Sequence, residues 1–479
     1  MYISKINLHN FRGFKGDHEI LFDRGINFFV GDNNCGKSSV FGAIDFIRTR
    51  KTREEVITKT ELEGAGFVSV EIEFKGDDIE SLVEIDALKK YKPYLVDVNN
   101  EKGLRVMRSS EETKITQNNS EKILNISNVR VFNPKTNQFE NPSGIDSTIT
   151  ALFDAQFVWA DTDSSDVVDF SKTKICGKII NTIINKNIGA EWKNFEKSHK
   201  ETFEKISDNL KPIEKKIQDK LLEQYGETEV KFNFTLPEIT DFLKSGNIAL
   251  SENGIQTTST EKGTGMQRAL ALSLIQVYAD ITSVSDDETS KPIMFFIDEP
   301  ETFLHPQAQS KLLDALEKIS LKSQVFIVTH SPYLLKKYKK ETHSLNIFSK
   351  EKGFNKITEG VELDLFGRSS PTWGEINYRA FGFLSVEFHN ELYGFIQAKA
   401  VLGDTNNEKE ENFDQYLFST GILKNKNWIP VRGGSVQPIK SRTLPTYIRN
   451  TIHHPENTQN VMYTEDELKI SIESLIALI

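Results

Sequence analysis

The chain has 479 residues, 38% hydrophobic and 27% charged, with a formal net charge of −10. This is the make-up of a globular protein with room for two to four domains or one elaborated domain, and it excludes a surface that grips nucleic acid everywhere, because phosphate contacts need clustered Lys and Arg. Two cysteines, Cys35 and Cys176, exclude a disulfide framework or a cysteine zinc site, and no apolar run approaches the roughly 20 residues of a membrane span. The first residues show no basic region followed by an apolar core, so a cytoplasmic location without membrane contact is expected. A local basic groove for nucleic acid stays open.

Alternation over residues 2–8 predicts a strand, residues 19–22 a second, and the apolar run 26–30 a buried one. A glycine-bearing loop follows directly, and then Val40, Ile44 and Ile47 mark one face of a helix over residues 37–50. Residues 67–74 alternate as a half-buried strand, and short strand candidates continue to about Asn141. Residues 175–225 read as helical, with Pro212 expected to kink or break the run, so a short hairpin or lobe is favoured over a long coiled coil. Strands are expected at 229–236 and 247–250, a helix at 263–278, an acidic connector at 283–290, a strand at 293–297, a helix at 307–319 and a strand at 324–328. This alternation predicts an α/β fold with a mixed, mainly parallel central sheet. Beyond Leu363 the pattern turns helical, at 385–401, 445–453 and 465–478, the last opened by a capping box of Thr464 and Glu467.

Chemistry concentrates at four places. In Gly31-Asp32-Asn33-Asn34-Cys35-Gly36-Lys37-Ser38 the glycines let backbone amides face phosphates, Lys37 neutralises the outer phosphates and the Ser38 hydroxyl suits magnesium. Asn34 and Ser39 are further nucleotide contacts there. An incidental glycine turn is the plain alternative, but the strand before and the helix after are the context the motif requires. The strand ending in Asp298-Glu299-Pro300-Glu301 delivers Asp298 for the Mg2+ shell and Glu299 to polarise the attacking water. Val325-Phe326-Ile327-Val328-Thr329-His330-Ser331 ends in His330, suited either to sense the terminal phosphate or to a structural hydrogen bond. Lys262-Gly263-Thr264-Gly265-Met266-Gln267-Arg268 opens a helix whose free amides form a second anion site. In this order they imply a nucleoside triphosphatase using ATP and Mg2+, with Lys37, Glu299 and His330 as catalytic candidates.

The same order resembles the ABC-type ATPase heads of the SMC, RecF and OLD group. Arg12-Gly13-Phe14, the loop from Gly263 to Arg268 and Asp298-Glu299-Pro300-Glu301-x3-His305-Pro306 are most similar to the RecF and OLD branch. The resemblance covers roughly residues 1–350 and implies nucleotide sandwiched between two subunits. Arg12 would then touch nucleotide, Thr264, Gly265 and Gln267 would act in trans, and His305 would lie near the subunit junction. The signature departs from the usual Ser-Gly-Gly-Gln, and Gln156 stands as the candidate for the glutamine loop. The implied division is an N-terminal head lobe (1–175), a helical insertion (176–227), a C-terminal head lobe (228–360) and a helical C-terminal domain (361–479).

OLD-type nucleases continue into a TOPRIM domain, which needs an Asp-x-Asp. None occurs after residue 350, the nearest approach being Glu362-Leu363-Asp364, so the effector is expected on another polypeptide. The segment from Tyr447 to Asn457 is similar to the ATPases of the Septu system (PtuA, working with an HNH nuclease) and the PARIS system (AriA, working with a TOPRIM-like toxin). This implies a homo-oligomer, at least a dimer with a hexamer open, that controls a nuclease or toxin and answers a phage-encoded trigger. A RecF-like repair or maintenance ATPase is the alternative. So is a built-in ribonuclease, because Arg449-Asn450-x3-His454 resembles the Arg-x4-His pattern of HEPN ribonucleases, while Pro455 equally suits a helix terminus that the pair merely caps.

Overall fold

The computed structural model describes every residue except 65, 99–100, 118–119, 160–168, 170, 172–174, 181–188, 233–245, 247, 284–290 and 303. The strand Ile26–Gly31 is buried at all six positions, so it belongs inside a sheet covered on both faces. It lies between Gln324–Val328 and His343–Glu351, parallel to both. Among the described residues this six-stranded sheet runs Asp154–Val158, Ile293–Asp298, Gln324–Val328, Ile26–Gly31, His343–Glu351 and Phe354–Glu359. All neighbours are parallel until the last strand, which folds back antiparallel. The mixed, mainly parallel central sheet expected from the sequence is therefore present. Its loops after Gly31, Asp298 and Val328 leave from one edge, where ligands of such sheets bind.

A second, antiparallel sheet of seven strands was not anticipated beyond its first members. Its path is Gln138–Glu140, Val129–Asn133, Glu101–Ser109, Ser69–Lys75, Tyr2–Phe11 and Phe14–Leu21, with Val96–Val98 pairing Glu101–Ser109. Gln324 ties the two sheets together. Its side-chain amide accepts from Ile3 N at 2.8 Å and donates to Ile3 O at 2.7 Å, as a strand neighbour's backbone would.

The chain folds into two compact units, one of Met1–Val158, Lys291–Glu301 and Ser323–Ile479, the other of Trp159–Ser290 and Thr302–Lys322. Both sheets and the C-terminal helices belong to the first. There Phe388, Leu392, Ile396, Phe413, Ile448 and Ile472 form a buried core between helices Val386–Gly403, Glu410–Ser419, Leu444–His453 and Glu465–Ile476. The capping box of Thr464 and Glu467 is formed. Helices Trp373–Phe381 and Glu410–Ser419 add to those expected.

In the second unit the helix Gly189–Gln224 runs on through Pro212, contrary to the expected break and short hairpin. A single proline removes one backbone bond, to the carbonyl of Asp208, and on an exposed helix water serves that oxygen instead. Residues 229–232 form no strand, and the rest of that expected element lies outside the described residues. Helix Thr264–Ser283 packs on helix Pro306–Ser320. Among the described residues, no helix is long and apolar enough to cross a membrane.

Candidate nucleotide site

The phosphate loop is a left-handed turn that only glycine fits at two places. Gly31 has φ 126° and Gly36 φ 94°, with Asn34 at 61° between them. A Cβ on Gly31 would stand 1.9 Å from the Phe348 carbonyl oxygen, and one on Gly36 would stand 2.2 Å from Asn355 Nδ2. Gly36 is also the N-cap of helix Lys37–Arg48 and offers no side-chain cap. The amides of the first turn are thus left for an anion, where the helix dipole favours one. Lys37 is buried, and its Nζ donates to the carbonyls of Gly31 (2.9 Å) and Asp32 (2.6 Å). Burial holds its ammonium below the usual lysine range.

Ser38 Oγ donates to both carboxylate oxygens of Asp298, at 3.1 and 3.0 Å. A hydroxyl touching a strand-end carboxylate is a pair of hard oxygen ligands. It fits Mg2+, which takes one or two protein ligands and completes its shell from phosphates and water. Glu299 follows with φ 46° and donates its N–H to Val328 O at 2.8 Å. For a non-glycine residue that backbone stores roughly 1–3 kcal/mol of strain, of the kind found at functional sites.

His330 Nε2 lies 3.8 Å from Glu299 Oε1. Burial, and then the Lys37 charge, push the imidazole below its ordinary value, against the pull of Glu299. The ring is therefore neutral at neutral pH, with one nitrogen to donate and one to accept. Glu301 Oε1 accepts from Thr329 Oγ1 at 2.8 Å and from His330 N at 2.7 Å. Burial pushes its carboxyl up.

Beside the loop opens a cavity of about 430 Å³ lined by Arg12, Asn34, Gly36, Ser39, Thr58 and Phe354, among others. Its position next to the anion site suits the sugar and base of a nucleotide. The Arg12 guanidinium lies against Gly42, where an added Cβ would come within 2.8 Å of Nη1. The structure thus gathers Arg12, Gly31, Asn34, Gly36, Lys37, Ser38, Ser39, Asp298, Glu299 and His330 in one unit.

Thr264, Gly265 and Gln267 belong to the other unit, at the start of helix Thr264–Ser283, with Gln267 Nε2 donating to Lys262 O at 2.8 Å. His305 there is the N-cap of helix Pro306–Ser320. Gln156 is a buried strand residue opposite Phe295, not a loop residue, because the strand Asp154–Val158 continues past it. Arg449 Nη1 lies 3.5 Å from Glu410, and His454 is the C-cap of helix Leu444–His453, 3.2 Å from Glu456. Two contributors carried no recognised motif, Phe348 and Asn355, which press on the loop glycines from the hairpin His343–Glu351 and Phe354–Glu359. The available signal was the turn Lys352-Gly353, whose positive φ values of 50° and 88° are those of a two-residue hairpin loop.

Compared with known proteins, residues 1–335 match the family model described as AAA ATPase domain. The chain is 27% identical over 394 residues to the Old nuclease of Escherichia phage P2, an alignment covering 77% of this chain and 63% of that protein. It is 40% identical over 82 residues to the DNA double-strand break repair Rad50 ATPase of Thermoplasma volcanium, or 16% of this chain and 8% of that protein. The chain thus spans less than two thirds of the length of these curated relatives. Among solved structures, an Smc head bound to the C-winged helix domain of ScpA aligns at 17% identity and TM-score 0.45, over 75% of this chain and 98% of that one. The SMC head domain from Thermotoga maritima aligns at 13% and 0.36, over 75% and 99%. The family match takes in the phosphate loop, the acidic strand and the strand before His330, and the chain therefore belongs to the AAA ATPase domain family, among the ABC-type ATPases of the SMC, RecF and OLD group.

Proposed function

We propose that this chain is the ATP-hydrolysing sensor and scaffold subunit of a bacterial anti-phage defence system, a cytoplasmic homo-oligomer that controls a separate nuclease or toxin effector. The contact between Ser38 and Asp298 carries the hydrolytic part, since it joins the phosphate loop to the acid strand across 260 residues of sequence. The loop amides and Lys37 bind the phosphates, and Ser38 and Asp298 would hold Mg2+, which when bound offsets phosphate charge. Glu299 accepts a proton from water as its oxygen attacks the γ-phosphorus, and the bond to the bridging oxygen breaks with its electron pair leaving on ADP. Neutral His330 hydrogen-bonds the γ-phosphate. Thr264, Gly265 and Gln267 of a second copy close the site in this reading.

Similarity to the Old nuclease over 77% of the chain supports a link between this ATPase and a nuclease. The four-part division into two head lobes, a helical insertion and a C-terminal helical domain belongs to the same proposal. Lys37→Ala should abolish nucleotide binding, whereas Glu299→Gln should bind ATP, stay in the closed oligomer and fail to hydrolyse. Equal hydrolysis by wild type and Glu299→Gln removes the base assignment. Purified alone, the protein should leave DNA and RNA intact, and a TOPRIM-like or HNH protein encoded beside it should co-purify.

A second reading, a DNA repair or maintenance ATPase, draws on the local likeness to the Rad50 ATPase. ATP-dependent DNA binding that weakens steeply with salt would favour it. RNA cleavage lost in His454→Ala would favour the ribonuclease alternative instead.

A further inference from the structure

Glu301 closes the motif Asp298-Glu299-Pro300-Glu301, and the hydrolytic steps give it no task. Its carboxylate nevertheless spans two strand ends. One oxygen takes donors from two consecutive residues, the Thr329 hydroxyl at 2.8 Å and the His330 backbone N–H at 2.7 Å. Thr329 Oγ1 in turn accepts from Ser331 N at 2.9 Å, so the whole turn carrying the histidine hangs on this carboxylate. The other oxygen, Oε2, is buried and has no hydrogen-bond partner among the described residues. A carboxylate kept buried with one oxygen bare is unfavourable for stability alone, since a desolvated acceptor without a donor costs free energy. Two residues earlier, Glu299 is held in the left-handed region, with its N–H bonded to Val328 O. Two unfavourable features thus sit just past the end of the strand Ile293–Asp298, both tying it to the strand end that carries the histidine.

We propose that Glu301 is a positioning residue that fixes the backbone of His330, and thereby holds the imidazole within reach of both Glu299 and the terminal phosphate of bound ATP. The inference rests on the reading of His330 as a phosphate contact. Glu301 touches no reacting atom in it. It sets where the histidine stands, through the backbone, while the side chain stays free to bond.

A double-mutant cycle on the full chain tests this, with ATP affinity and single-turnover hydrolysis measured for Glu301→Ala, His330→Ala and the pair. Each single change should slow hydrolysis about tenfold or more and leave the ATP Kd within about threefold, and the pair should be no slower than the worse single, because both remove one function. Glu301→Gln, whose amide oxygen still accepts both donors, should restore most of the rate. Losses that multiply, or an ATP Kd that rises in step with the lost rate, overturn the inference. Full activity in His330→Ala instead removes the phosphate reading of the histidine, and the inference with it. If Glu301→Ala does not fold, Thr329→Val deletes one of the two donors and should slow hydrolysis in the same direction, whereas an unchanged rate overturns the proposal.

Discussion

Gly31 and Gly36 meet different obstacles, and the difference predicts different phenotypes. At Gly31 the obstacle is the Phe348 carbonyl of a neighbouring strand, which no side-chain change removes. Gly31→Ala should therefore destabilise the protein by about 3 kcal/mol or more in chemical denaturation. At Gly36 the nearest atom is Asn355 Nδ2 at 2.2 Å, with Phe14 Cζ next at 2.9 Å. Gly36→Ala should weaken ATP binding, and adding Asn355→Ala should recover part of that loss, the remainder coming from the Phe14 ring and the φ of 94°. At this scale the sequence was most legible where chemistry requires contiguous residues, as in the phosphate loop and Asp298-Glu299. It was least legible where a residue acts through a partner far along the chain, as Asn355 does on Gly13 and Gly36.

Elements were legible according to how much of their burial pattern is local. The strand Gln324–Val328 and the helix Lys37–Arg48 announce themselves by unbroken or 3.6-residue apolar runs. The helix Glu410–Ser419 reads as polar, and its core contribution, Phe413 and Leu417, becomes apparent only against Val386–Gly403. The antiparallel sheet is built of strands such as Glu101–Ser109, whose pairing across roughly 28 to 40 residues no short window reveals.

Within the C-terminal helices, His389 is fully buried, with Nε2 2.9 Å from Ser471 Oγ. Burial pushes its pKa down to about 4. An unfolded histidine titrates near 6.5, so between these values the unfolded chain binds a proton that the folded one refuses. Stability is complete above about pH 6.5 and falls as pH drops toward 4, by up to about 3 kcal/mol. His389→Gln should flatten that part of the stability curve measured by denaturant titration. Ile448→Ala, which empties a buried position of the same core, should cost about 3 kcal/mol at any pH.

For the whole molecule, the proposed sandwich makes each site a joint product of two copies. Lys37→Ala and Gly265→Asp should each be inactive alone. Mixing them and allowing subunits to exchange should restore measurable ATP hydrolysis, because one site of a mixed pair then has an intact phosphate loop facing an intact signature loop. No recovery after demonstrated exchange would mean that the loop from Gly263 to Arg268 serves its own subunit. The sequence showed both halves of such a site but not their assignment to subunits, since motif order along one chain says nothing of which copy supplies each half.

The strand Ile26–Gly31 stands between partners from residues 324–328 and 343–351, and Asn27 reaches Val325 O across 298 residues of sequence. During synthesis the ribosome therefore releases this mostly apolar segment long before either neighbour exists. At 5–20 residues per second the wait is roughly 15–60 s. For that time the nascent chain carries an unpaired, aggregation-prone strand directly before its nucleotide loop. Truncated products ending before residue 324 should consequently be trapped by holding chaperones and bind no nucleotide, so that a cell interrupted in translation releases no half-made ATPase able to act.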